Sequence, residues 1–135
     1  MCVHCAECTF AVRPSIHLFH LISFFAFPLF RRGAYYATHL LPGLKLISLN
    51  MNYCNNQNWW LLLNTTDPAD ELTWLINELQ TSELLGEKVY IIGHIPPGSN
   101  DCLQIWSQNF YRIVNRFEST IVSQFYGHTH QGNIN

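Results

Sequence analysis

Three histidines sit where apolar runs stop. Gly93-His94 follows the run Lys88 to Ile92, and Gly127-His128-Thr129-His130 follows Thr120 to Tyr126. Neutral imidazole is a favoured ligand for zinc and similar divalent ions. Two histidines one residue apart point to opposite sides of an extended chain unless the chain turns there. With Gly127 allowing a close backbone approach, the pair could address two adjacent metal ions. The competing reading is a His-Thr-His loop satisfied by water and backbone, with His94 a core histidine satisfied by its neighbours. Taken together the three favour metal. A second group, Cys2, Cys5 and Cys8 with His4 between them, has the look of a metal knuckle. A closed zinc site needs four spaced ligands, and no second half-site follows it.

Elements that bring the histidines together can be read from spacing. Leu44 to Asn50 is a short, mostly apolar run after Pro42-Gly43 and predicts a buried strand. An Asn-rich loop spans Asn52 to Asn58. Asp67-Pro68-Ala69-Asp70-Glu71 predicts a helix start, with Asp67 as N-cap and Pro68 at the first helical position. Leu72, Leu75, Ile76 and Leu79 then form one stripe, Trp74 lies off it, and Gly86 terminates the helix after Leu85. Lys88 to Ile92 predicts a second strand. Ile105 to Glu118 predicts a helix with Ile105, Tyr111 or Ile113, Val114 and Phe117 inward, and Thr120 to Tyr126 a third strand. Strands alternating with helices run parallel, so their carboxyl ends share one rim of the sheet, where open α/β sheets bind ligands. His94, His128 and His130 are all expected on that rim.

Composition narrows the class. The chain has 135 residues, room for one small core, and only 12% of them are charged against 48% hydrophobic. So little charge suggests a membrane-like segment or a piece of something larger, whose apolar sheet surface would be left uncovered and prone to aggregation. A net charge of −2 provides no field to hold nucleic acid. Residues 1–32 differ from the rest. Ile16 to Phe30 is apolar but shorter than the roughly 20 residues of a membrane-spanning helix. His17, His20 and Pro28 fit a signal peptide poorly, and no cleavage motif follows. An atypical leader, a membrane anchor and non-native sequence from a misassembled reading frame compete, and the last is favoured.

From Gly33 to His130 the sequence resembles the acid sphingomyelinase family of calcineurin-like metallophosphoesterases. The resemblance rests on the two histidine motifs and on Leu46-Ile47-Ser48-Leu49-Asn50-Met51-Asn52-Tyr53-Cys54, Asn64-Thr65-Thr66-Asp67-Pro68-Ala69, Val89 to Gly98, Asn109 to Val114 and Gln124 to His130. It implies an α/β fold, here part of a four-layer α/β/β/α sandwich, with residues 33–135 the C-terminal half of the catalytic domain. It also implies two zinc ions, with His94 and His128 on one and His130 on the other. The implied reaction is hydrolysis of sphingomyelin, or another phosphodiester lipid at a membrane surface, to ceramide and phosphocholine. The family's Asp-x-His, Gly-Asp and Gly-Asn-His motifs have no counterpart, so no residue here is assigned a catalytic role and the chain alone is expected to be inactive. Cys54 and Cys102 leave the same rim and could be bridged or be buried thiols; the resemblance favours the bridge. Asn64-Thr65-Thr66 is an N-glycosylation sequon. Both features suit a lysosomal or secreted protein. Trp59-Trp60 and Trp106 to Tyr111 could contact lipid or choline, but aromatics at such spacing are expected in the core. A nucleotide phosphodiesterase of the same family and a non-catalytic binding fragment are the alternative functions.

Overall fold

The computed structural model describes residues 33–64 and 66–130. Residues 1–32, with the leader readings and Cys2, Cys5 and Cys8, lie outside the described residues, as do Thr65 and residues 131–135. Four strands form one sheet in the order β1 (Tyr36–Leu41), β2 (Leu44–Ser48), β3 (Lys88–Ile92), β4 (Ile121–Phe125). Two helices, α1 (Glu71–Leu85) and α2 (Gln104–Arg116), connect β2 to β3 and β3 to β4. Both of those strand pairs are parallel, as the alternation of elements requires. β1 was not expected. It pairs antiparallel with β2 through a hairpin at Pro42-Gly43, where Gly43 takes φ 78°. Its six residues run from half-buried to exposed without alternation, so they carry no period-two signal.

The core lies on one face of the sheet. Ile47, Val89 and Ile91 meet Leu72, Leu75 and Leu79 of α1 and Trp106, Phe110 and Ile113 of α2. Burying each such side chain contributes about 1.5–3 kcal/mol. The architecture is therefore α/β in two layers, one of strands and one of helices. The second sheet and outer helices of a four-layer sandwich are not among the described residues. Among these residues no helix is long and apolar enough to cross a membrane.

Both helices differ in detail from their sequence pattern. Asp67 does not begin α1 directly: Pro68–Asp70 form a 3-10 turn, with Ala69 at φ 54° and Asp70 at φ 57°, and the helix starts at Glu71. The Asp67 carboxylate still performs the capping, because the Leu72 and Thr73 N–H groups donate to it at 2.7 and 3.0 Å. In α2 the inward stripe is Trp106, Phe110 and Ile113, continued by Phe117, while Ile105 and Tyr111 are exposed. The stacked Trp106 and Phe110 rings, 5.3 Å apart, set that phase because they carry the largest apolar area on the helix. Leu85 and Gly86 end α1 as expected, Gly86 taking φ 68°.

Candidate metal centre

β3 and β4 deliver their histidine loops side by side. The ladder continues past the strands: the Gly93 N–H donates to the Phe125 carbonyl and the Gly127 N–H to the His94 carbonyl, each at 3.0 Å. Gly93 is required there by space, since a Cβ would lie 2.9 Å from Met51 Sδ and 3.0 Å from the Tyr126 ring. Gly127 is less constrained than its place in the motif implies; a Cβ there would stand 3.6 Å from His94 Nδ1, an ordinary contact. Beyond it the chain turns. His128 and His130 take φ 66° and 54°, and the Thr129 N–H donates to the Gly127 carbonyl at 2.8 Å. Left-handed backbone at two non-glycine residues is costly and is held where surrounding structure demands it.

His94 and His128 are brought together. Nε2 of His94 lies 3.3 Å from Nδ1 of His128, with the rings nearly perpendicular at 82°. Two zinc–nitrogen bonds of about 2.0–2.1 Å at a tetrahedral angle would set their nitrogens about 3.3–3.4 Å apart. The separation matches one edge of a zinc coordination tetrahedron, and in the metal-free protein it is a hydrogen bond between the two rings. His130 is exposed and does not join them; among the described residues no group of three His, Cys, Asp or Glu side chains is placed to hold one ion.

Asp101 escaped sequence reasoning. Its Oδ2 lies 2.6 Å from Nε2 of His128, on the ring edge opposite His94. A single aspartate in the polar loop Ser99-Asn100-Asp101 carries no spacing signal that relates it to a histidine 27 residues later. The loop is tied down from the β2 side. Cys54 and Cys102 form a disulfide, and Asn55 pairs with Cys102 as an isolated antiparallel bridge. The Asn56 N–H donates to the Asp101 carbonyl at 2.9 Å, and its side-chain amide to the Asn100 carbonyl at 2.7 Å.

Two further features lie around the same loops. Glu71 is fully buried; desolvation pushes its carboxyl up to about 8, the Asn50 N–H bond opposes this, and the charge of Asp67 adds to it. Its Oε1 accepts from the Asn50 N–H at 2.6 Å, while Oε2 is buried without a hydrogen-bond partner. Trp59 and Trp60, expected in the core, are 82% and 79% exposed, with Leu62 and Leu63 beside them. Trp59 and Leu62 edge a largely apolar groove of about 490 Å³ that reaches Asn56 and Leu103. Trp106 and Phe110 are core, as expected.

This is an α/β domain with two histidine loops facing each other at the carboxyl rim of parallel strands. No family model matches the chain. Curated relatives do: it is 60% identical over 100 residues to the sphingomyelin phosphodiesterases of Bos taurus and Homo sapiens, a match covering 74% of this chain and 16% of each relative. Sphingomyelin phosphodiesterase B of Dictyostelium discoideum is 56% identical over 99 residues. The cyclic GMP-AMP phosphodiesterase SMPDL3A of Mus musculus is more distant, at 38% over 113 residues, 77% of this chain and 25% of that protein. Over the matched stretch the chain is similar to the sphingomyelin phosphodiesterases, and it spans only 16% of the length of those first two.

Proposed function

We propose that this chain carries the histidine-loop portion of a zinc-dependent sphingomyelin phosphodiesterase site. The observation that supports it best is the 3.3 Å approach of His94 Nε2 to His128 Nδ1 at the strand ends. His94 and His128 would hold one zinc and His130 a second. Zinc bound there supplies Lewis acidity, lowering the pKa of a water and neutralising phosphate oxygens. The chain's own part is to present the imidazoles in fixed orientation. Sphingomyelin, rather than a nucleotide, is the favoured substrate because identity to the sphingomyelin phosphodiesterases is 60% against 38% to the cyclic GMP-AMP phosphodiesterase.

The half-buried sheet face bearing Tyr90, Ile92 and Phe125 is where a second sheet of a four-layer sandwich would pack. Residues for a complete dinuclear site are not supplied by this sequence, which contains no Asp-x-His, Gly-Asp or Gly-Asn-His triplet or pair. The 135-residue chain by itself is therefore assigned metal binding without turnover. The Cys54–Cys102 bridge and the exposed Asn64 of the sequon support a lysosomal or secreted protein. Calorimetric titration with zinc, repeated on His94→Ala and His128→Ala, tests the site. Both variants are expected to lose the tight phase, and unchanged binding would contradict the proposal. A bovine enzyme whose matching stretch is replaced by residues 33–130 tests the substrate: it is expected to hydrolyse sphingomyelin in preference to a cyclic dinucleotide, and the reverse preference would favour the second reading.

A further inference from the structure

We infer that Asp101 is a positioning residue of this centre, holding the Nε2–H of His128 so that the bare Nδ1 faces the cation shared with His94. The inference rests on the metal-binding reading above and adds to it a residue outside both histidine motifs. Its physical basis is proton bookkeeping. A neutral imidazole has one N–H and one lone pair, and an ionised carboxylate only accepts. Contact at 2.6 Å between Asp101 Oδ2 and His128 Nε2 therefore puts the proton on Nε2 and makes Nδ1 the accepting nitrogen, which takes the His94 Nε2–H in the metal-free protein and is the donor atom offered to a cation. Nδ1 is the nitrogen 3.3 Å from His94 Nε2, where the two rings can share an ion.

A direct ligand role for Asp101 does not fit this arrangement. Its carboxylate contacts the ring edge opposite the one facing His94, and no three-donor group forms among the described residues. The geometry is that of a carboxylate–histidine–metal relay, in which the outer carboxylate orients the ring and raises its basicity. The loop is built to keep Asp101 in place. Its carbonyl accepts from the Asn56 N–H at 2.9 Å, its neighbour Cys102 is bridged to Cys54, and the Leu103 N–H donates to the Cys54 carbonyl at 2.7 Å.

Two measurements on the 135-residue chain test this. In the metal-free protein, NMR is expected to show a slowly exchanging imidazole N–H assigned to Nε2 of His128. Its absence, or a proton assigned to Nδ1, overturns the inference without any variant. Zinc and cobalt(II) titrations of wild type, Asp101→Asn and Asp101→Ala are then compared at equal thermal stability. Asp101→Ala is expected to weaken both metals by about 10- to 100-fold, with Asp101→Asn in between because its amide oxygen still accepts. Wild-type binding matched within twofold by Asp101→Ala overturns the role of Asp101 and leaves the metal site standing. No binding by wild type overturns the metal reading itself, and the assignment of Asp101 with it.

Discussion

At the scale of single residues, the centre depends on where protons and glycines are placed. Gly93 and Gly127 look equivalent in sequence, each preceding a histidine, but only the first is packed against Met51 and Tyr126. Gly93→Ala is therefore expected to destabilise the fold by about 1–3 kcal/mol through overpacking, and Gly127→Ala by less; chemical denaturation of the two variants checks the order. Spacing made the histidines legible because each follows an apolar run. The left-handed turn at His128 and the contact of Asp101 with it were not legible, since both arise from how loops distant in sequence meet.

Among the elements, α1 shows how local signals and packing divide the work. Its stripe and its Gly86 terminus were readable from periodicity. The displaced start was not, because Asp67 caps from five and six residues upstream across the turn at Pro68–Asp70. Asp67→Ala is expected to cost about 0.5–2 kcal/mol, measured by thermal or denaturant melts. The first residue of the helix carries a pH dependence. Glu71 sits at about 8 in the folded chain against its usual 4.5, so the folded state holds the extra proton between those values. Stability is then full below about pH 4.5 and falls as pH rises toward about 8, by on the order of 4 kcal/mol. Glu71→Gln keeps an oxygen for the Asn50 N–H and removes the titration. Its melting temperature is expected to be nearly flat from pH 5 to 8 and above wild type at pH 8; parallel pH profiles would contradict this. In α2 the inward places of Ile113 and Phe117 are legible from spacing, whereas Ile105 and Tyr111, also apolar at helical spacing, lie outside because the larger Trp106 and Phe110 set the phase of the helix.

For the molecule as a whole, the strand–helix alternation made the parallel sheet and its rim readable, while β1, lacking alternation, was hidden. The sparse charge was also informative. Val122, Phe125, Leu84 and Leu85 are exposed, and so are Leu62, Leu63 and the pair Trp59 and Trp60 expected in the core, while Leu61 between them is buried. Aromatics at that spacing read as core, but a 3-10 turn capped by Asn58 carries the two tryptophans outward. The Cys54–Cys102 bridge, 48 residues apart, stabilises by about 4 kcal/mol in the chain-entropy model and also ties down the Asp101 loop. Its reduction is expected to lower both the melting temperature and the zinc affinity; loss of stability with unchanged affinity, seen by titration below the melt, would separate the bridge from the site.

The sharing of one cation by His94 and His128 is tested most directly by following their ring nitrogens as zinc is added. One equivalent is expected to move the ¹⁵N resonances of His94 Nε2 and His128 Nδ1 together, with a single affinity. Resonances that stay in place, or move with two unrelated affinities, would show that the two imidazoles do not hold the same ion.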